Sequence, residues 1–143
     1  MHHTLEPGDG LHRSKGMFEH AGTYLGDGRV IHLTPGGIKV ERLDQFSDGK
    51  HVRVRKNPVP LSVLEERIRK AKTLFPAYGA FQRNCEQFAN YIQTGFAHSP
   101  QARGGVIGCT LGVGIARSVD ADPVTTACLV LGMGWLGVQL ARP

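Results

Sequence analysis

The stretch 20-HAGTYLGDGRVIHL-33 has the pattern of a β-hairpin. Two short runs rich in β-forming residues flank positions 26–28, and Asp-Gly between such runs is the strongest short-range hairpin signal. If residues 26–28 form a three-residue loop, Gly22 faces His32 and His20 lies on the same face of the sheet. A two-residue loop shifts the register by one and places the two imidazoles on opposite faces. The sequence alone leaves both loops open, and only the longer one makes the two histidines neighbours.

A second stretch, 84-NCEQF-88, indicates the start of a helix. Asn84 is a preferred N-cap residue, and Gln87 three positions later can complete a capping box. Apolar residues follow at helical spacing, and Gly95 predicts the end of the helix. Cys85 therefore lies in the first turn, where the helix dipole lowers the pKa of a thiol.

The rest of the first hundred residues adds another helix and another strand. Residues 60–75 have clear helical periodicity, and Ser62 with Glu65 matches a capping box. The apolar stripe that we expect to be core comprises Leu64, Ile68, Ala71 and Phe75. Alternation in residues 49–56 predicts a half-buried strand with its valines toward the core and its arginines in solvent. Strands followed by helices predict an α+β fold with an antiparallel sheet.

The last third of the chain has a different composition. Residues 104–116 and 123–141 contain no charged side chain, and the first run carries glycines four residues apart. As a helix the second run would extend about 28 Å, close to the roughly 30 Å core of a bilayer. We therefore divide the chain into a domain of residues 1–100 and a hydrophobic, Gly-rich C-terminal segment of residues 101–143, which we expect to associate with a membrane as a hairpin. A helical hairpin packed on the soluble domain is the alternative.

Composition limits the classes of function. With 143 residues, of which 41% are hydrophobic and 20% charged, the chain suits one ordinary domain. A net charge of +5 without a basic block or a nucleic-acid motif favours anionic lipid weakly, and we expect no nucleic-acid partner. Three cysteines without Cys-x-x-Cys spacing predict neither a disulfide framework nor a zinc site, and we expect no metal and no cofactor. The N-terminal MHHTLEPGDG lacks the apolar core of a signal peptide, which predicts an intracellular protein with reduced thiols.

Cys85 is the candidate nucleophile. A thiol attacks only as the thiolate, so it needs a base as well as the helix dipole. With both histidines on one face of the hairpin, His20 would accept the thiol proton and His32 would hold the ring of His20 in the required tautomer. Backbone N–H groups at the helix start, that of Cys85 among them, would stabilise the oxyanion. From spacing alone, a buried structural cysteine and two structural histidines are the alternative.

Three motifs combine these residues, namely LEPGDG at 5–10, EHAGTYLGDGRVIHL at 19–33 and RNCEQF at 83–88. Together they resemble the lecithin retinol acyltransferase-like domain family, which includes the small phospholipase A and acyltransferase enzymes, over roughly residues 5–96. The resemblance implies a permuted papain-like α+β fold, in which the histidine strands precede the cysteine helix. It also implies that Cys85 is the nucleophile, His20 the base and His32 the orienting third member.

The resemblance further implies that the substrate is an acyl ester of a phospholipid at a membrane surface. Cys85 would hold the fatty acid as a thioester and pass it to water, an amine or an alcohol. The family commonly has histidine where this chain has Gln87, from which we expect tuning of the activity rather than its loss. The span between residues 33 and 84 has no room for the insertion of the retinoid-specific branch, so we do not expect retinol specificity.

Two other functions are open on the sequence. A cysteine peptidase or isopeptidase of a related permuted papain-like group also uses histidine before cysteine, although an apolar C-terminus does not suit a polar peptide groove. A membrane-interaction protein that kept the fold with weak chemistry is the third alternative. The presence of Cys85, His20 and His32 argues against it, because losing any of them is the simplest route to inactivity.

Overall fold

The computed structural model describes residues 4–16, 18–77 and 84–141. The elements of the sheet-containing part are β1 (Gly10–Lys15), β2 (Phe18–Gly26), β3 (Arg29–Thr34), β4 (Gly37–Arg42), α1 (Leu43–Ser47), β5 (Val52–Arg55), α2 (Leu61–Leu74) and α3 (Cys85–Thr94). The remaining elements are α4 (Pro100–Ser118) and α5 (Pro123–Leu140). The chain forms two compact units, one up to Lys15 and from Glu19 to His98, and one from Ser99 onward together with Gly16 and Phe18.

The five strands form one sheet in the order β4-β3-β2-β1-β5. The pairs β1–β5, β2–β3 and β3–β4 are antiparallel. Helices α2 and α3 follow the strands in the chain. The predicted α+β fold with an antiparallel sheet is therefore confirmed.

The turn between β2 and β3 is the shorter of the two predicted loops, combined with a bulge that neither prediction includes. Asp27 and Gly28 form a two-residue turn with φ angles of 50° and 70°, the combination that a type I′ turn requires. The register of β2 against β3 then shifts by one residue at Leu25, which is an extra residue in β2. This bulge restores the pairing that a two-residue turn would otherwise lose, so Gly22 still faces His32.

The sheet carries an apolar cluster on each face. One cluster joins β3 to α2 and α3 and comprises Ile31, Leu33, Leu64, Ala71, Phe75, Phe88, Tyr91 and Ile92. The other comprises Leu11, Val30 and Phe46, with Leu5, Tyr24, Leu43 and Val52 packed against it. Successive strand residues point to opposite faces, so Ile31 faces the two helices whereas His32 contacts Phe46 on the other side.

Helix α3 begins and ends where the sequence predicts. The side chain of Asn84 accepts a hydrogen bond from the backbone N–H of Gln87 at 2.9 Å. The side chain of Gln87 accepts in return from the backbone N–H of Asn84 at 3.4 Å. Gly95 ends the helix in the left-handed region with φ 84°, which glycine adopts without steric cost. Local capping alone therefore fixes Cys85 as the first residue of the helix.

Helix α2 starts two residues earlier than the predicted capping box requires. Its N-cap is Pro60, with φ −54° and no side-chain cap bond. Ser62 already lies in the first turn, so its predicted capping box with Glu65 is wrong. The fixed φ of proline suits the entry to a helix, and its carbonyl accepts a hydrogen bond from the backbone N–H of Leu64 at 3.1 Å. The predicted stripe is confirmed, because Leu64, Ala71 and Phe75 are buried and Ile68 packs against them.

Strand β5 does not have the half-buried alternation that its sequence predicts. Val54 is 41% exposed. Arg55 donates to Gln93 Oε1 at 2.8 Å. Arg53 forms an ion pair with Glu19. The arginine side chains thus have partners on β2 and α3 and do not simply face solvent. Strand β5 is at the edge of the sheet.

The weakly periodic segment before residue 19 contains an ordered strand. His12 lies in β1 and is only 5% exposed. Asp9 is fully buried and accepts hydrogen bonds from Lys56 Nζ at 2.7 Å and from the backbone N–H of Asn57 at 3.0 Å. These contacts fasten the start of β1 to the end of β5 and explain why a short polar motif folds without apolar alternation.

Helices α4 and α5 pack against each other through glycines. A Cβ atom on Gly104 would lie 2.3 Å from the backbone oxygen of Gly137, and one on Gly108 would lie 2.0 Å from that of Met133. Only glycine allows so close an approach of two helix backbones. Among the described residues, the helix long and apolar enough to cross a membrane by length and composition is Pro123–Leu140, with a mean hydropathy of 1.4.

Candidate active site

The two predicted histidines are in direct contact. His20 Nε2 and His32 Nδ1 are 2.6 Å apart, and the two side chains are nearly fully buried. The register that pairs Gly22 with His32 makes them diagonal neighbours on one face of the sheet. The bulge at Leu25 therefore produces the pair that the sequence predicted from a longer loop.

Phe46 of α1 supports both imidazole rings. Its ring stacks on that of His20 at 5.5 Å and 28°, and meets that of His32 edge-on at 5.3 Å and 84°. Gly22 makes room for this arrangement, because a Cβ at this position would lie 2.9 Å from Phe46 and 2.8 Å from Val30. The two rings are thus held between strand backbone and one aromatic side chain.

Glu41 of β4 contacts the histidine pair through His32, and the sequence did not identify it as a site residue. Its Oε1 lies 2.9 Å from His32 Nε2, and its side chain is 9% exposed. The two atoms are at hydrogen-bond distance, although the N–H bond is not aligned with the oxygen. Lys39 Nζ contacts the other carboxylate oxygen at 2.5 Å. In the register of β3 with β4, Glu41 pairs with Val30, which lies two residues before His32. The contact between Glu41 and His32 could therefore be recognised only from the position and register of β4.

These contacts favour one tautomer of each ring. An ionised carboxylate only accepts hydrogen bonds, so Glu41 requires the proton of His32 on Nε2. His32 Nδ1 is then an acceptor, and His20 must donate to it from Nε2. His20 Nδ1 is left with a lone pair, which is the form that a general base needs.

Cys85 lies against the backbone of β2 beside His20. Its side chain is buried, and Sγ is 3.7 Å from the carbonyl oxygen of Glu19. The pairing of β2 with β3 starts only at Gly22, so the sulfur contacts β2 beyond its last β3 partner. Backbone hydrogen bonds from Ala21 and Glu86 also reach the sulfur, and among the described residues no hydrogen bond joins it to an imidazole nitrogen.

Burial dominates the electrostatics of these groups. It raises the pKa of the Cys85 thiol above its ordinary value of 9.0. Burial also lowers the pKa of His20 to about 3, with smaller contributions from His32, Arg13 and Lys15. The pKa of His32 is lowered as well, first by burial, against the opposing effect of Glu41. These directions favour the neutral forms of the thiol and of the two imidazoles in the resting protein.

Other parts of the described structure offer no competing centre. Among the described residues, no three His, Cys, Asp or Glu side chains are grouped as a metal site would require. A cavity of about 720 Å³ is lined by Leu5, Leu11, Asp27, Gly28, Arg42, Leu43, Asp44, Ser47, Val52 and Val54. Its lining includes neither Cys85 nor either histidine of the pair.

Comparison with known proteins identifies the family of this chain. The family model described as lecithin retinol acyltransferase matches residues 3–98. Phospholipase A and acyltransferase 3 of Mus musculus is 26% identical over 96% of this chain and 91% of its own length. Phospholipase A and acyltransferase 2 of Homo sapiens is 27% identical over 94% of this chain and 90% of its own length. A match over two-thirds of the sequence, around a buried cysteine and a histidine pair, places this chain in the lecithin retinol acyltransferase family.

Proposed function

We propose that this protein is a phospholipase A and acyltransferase that uses Cys85 as its nucleophile. The observation that carries the proposal is the buried 2.6 Å contact between His20 and His32, on the strand whose backbone the Cys85 sulfur touches. Relatives named phospholipase A and acyltransferase support the class of substrate, which is the acyl ester of a phospholipid. An N–H···N bond between the two imidazoles fixes the orientation of the His20 ring, which suits His20 to accept a proton.

In the acylation step, His20 Nδ1 takes the proton of the Cys85 thiol while the sulfur attacks the acyl carbonyl carbon. The carbonyl electron pair moves to oxygen, where backbone N–H groups at the start of α3 stabilise it. Collapse of this intermediate forms the thioester and expels the lysophospholipid, which takes the proton back from His20. Water, an amine or an alcohol then attacks the thioester carbonyl and gives its proton to His20. The carbon–sulfur bond breaks, and the sulfur takes the proton from His20.

This scheme requires the sulfur to turn from the Glu19 carbonyl toward His20. Catalytic hydrogen bonds are often loose before the substrate binds and tighten only in the complex. The high pKa of the thiol fits the same scheme, because the proton leaves only as the sulfur–carbon bond forms. The permuted papain-like arrangement is part of this proposal, supported by the order of histidine strands before the cysteine helix.

We further propose that residues 1–100 are the catalytic domain and that residues 101–143 bind the membrane. Exposed apolar side chains occur along both α4 and α5, namely Val106, Ile107, Leu111, Ile115, Val124, Leu131, Trp135, Leu136 and Leu140. Water gives such side chains no stabilisation, whereas lipid does. Backbone contact through Gly104 and Gly108 makes the two helices one hairpin with lipid-facing sides. A phospholipid substrate would then lie in the same bilayer.

Intact-protein mass spectrometry after incubation with phosphatidylcholine vesicles tests the nucleophile and the substrate together. We expect a mass increase of one acyl chain, located by peptide mapping on Cys85. The increase should be absent from Cys85→Ser and strongly reduced in His20→Ala. Cys128→Ser is the matched control, because Cys128 is an exposed thiol in α5, and it should acylate normally. Unchanged acylation of Cys85→Ser, or cleavage of a ubiquitin-like conjugate without any acylation by lipid, contradicts the proposal.

A further inference from the structure

We infer that Glu41 is a positioning residue that sets the protonation of the histidine pair, so that His20 Nδ1 faces the reaction without a proton. The inference rests on the proposed function, because it assigns Glu41 a role in that reaction. Glu41 touches His32 and not the substrate, so it acts through the two rings.

The first argument is the direction in which hydrogen bonds can run. An ionised Glu41 has no proton to give, so the contact at 2.9 Å with His32 Nε2 can only be donated by the ring. That choice determines the Nδ1 atom of His32, and through the 2.6 Å contact the Nε2 atom of His20. Without Glu41, either ring nitrogen of His32 could carry the proton, and half of the outcomes would leave His20 Nδ1 protonated and unable to act as a base.

The second argument is charge. When His20 accepts the thiol proton, a positive charge appears in a buried place that already lies near Arg13 and Lys15, both of which disfavour protonation of His20. Glu41 is the buried carboxylate on the far side of His32, and it favours protonation of that ring. A carboxylate at this distance stabilises the transient imidazolium through His32, as the acid of a Ser-His-Asp triad does through one ring.

The third argument is that Glu41 is itself held in place. Its second oxygen contacts Lys39 Nζ at 2.5 Å, and Lys39 lies two residues earlier on the same face of β4. Lys39 is the β4 residue directly opposite His32. The sheet register therefore aligns lysine, carboxylate and imidazole, so the carboxylate cannot rotate away from His32 without losing an ion pair.

Two-bond ¹H–¹⁵N correlation spectra of the full chain test the inference without any variant. We expect the lone-pair nitrogen of His20 to be Nδ1 and the protonated nitrogen of His32 to be Nε2. In Glu41→Ala, both rings should become mixtures of the two tautomers. A wild-type His20 with its proton on Nδ1 overturns the inference, whatever the activity of the protein.

Acylation kinetics provide the second measurement. Glu41→Ala should lower kcat for vesicle lipid about 10- to 100-fold with little change in KM, since the lost contact serves the base and not substrate binding. Glu41→Asp keeps a carboxylate and should recover part of the rate, whereas Glu66→Ala, which removes an exposed carboxylate paired with Lys70, should behave as wild type. Equal kcat for wild type and Glu41→Ala, with unchanged tautomers, overturns the inference while leaving the Cys85 mechanism intact. Absence of acylation in the wild type instead contradicts the proposed function, and the tautomer measurement then decides the role of Glu41 alone.

Discussion

Gly22 lies directly opposite His32 in the β2–β3 ladder, although the turn that joins these strands has only two residues. The extra residue Leu25 in β2 restores the register. The missing side chain of Gly22 leaves the space in which Phe46 supports the ring of His20. One glycine therefore serves both the strand pairing and the stacking of the candidate base.

Replacing Gly22 with alanine should destabilise the protein and disturb the histidine pair. The new Cβ would lie 2.9 Å from Phe46 and 2.8 Å from Val30, closer than packed atoms tolerate. Overpacking of this kind costs about 1–3 kcal/mol, which urea unfolding would measure. Gly36→Ala is the control, because its Cβ would meet only Thr34 Oγ1 at 3.6 Å. Equal unfolding free energies for the two variants would show that Phe46 does not need the space.

Alkylation of Cys85 by iodoacetamide should be slow at neutral pH and should accelerate only above pH 9. Burial raises the pKa of this thiol above 9.0, so very little thiolate is present near pH 7. Peptide mass spectrometry across a pH series would give the rate, and the same protein unfolded in urea would give the reference for an accessible thiol. Rapid alkylation of folded Cys85 at pH 6 would instead indicate a resting thiolate–imidazolium pair.

Stability should fall as the pH drops from about 6.5 toward 4, because of the buried histidines. The pKa of His12 is lowered from 6.5 to about 4, mainly by burial, so in this window the unfolded state binds a proton that the folded state does not. The contribution of His12 is complete above pH 6.5 and is lost on acidification, by at most about 3 kcal/mol. Urea unfolding at pH 7, 6 and 5 should show a smaller pH slope for His12→Gln than for wild type. Identical slopes in the two proteins would contradict the assignment.

Gly108→Ala should separate helices α4 and α5. The added Cβ would lie 2.0 Å from the backbone oxygen of Met133, and backbone cannot move aside as a flexible side chain can. We expect about 1–3 kcal/mol of local destabilisation, seen in detergent micelles as faster hydrogen exchange of the α5 amides. Gly114→Ala, whose Cβ meets nothing within 4 Å, should leave the exchange unchanged. Matching exchange rates in both variants would mean that the helices are not packed through Gly108.

Much of the fold follows from interactions between residues that are close in the chain. Asp27 and Gly28 adopt the positive φ angles that their residue types favour, and Asn84 with Gln87 caps α3 as their spacing predicts. Such signals depend on a few neighbouring residues, so they can be recognised in the sequence itself. The same locality explains the error at Ser62, where a matching pair of residue types was outweighed by the preceding proline.

The sequence by itself determined the antiparallel hairpin, the helix that begins at Cys85 and the family to which the chain belongs. Only the tertiary structure decided that Leu25 forms a bulge, that Glu41 lies beside the histidine pair and that burial raises the pKa of the Cys85 thiol. Register between strands distant in the chain and the cost of removing a charge from water both depend on the whole packed molecule, and no local pattern of residues contains either quantity.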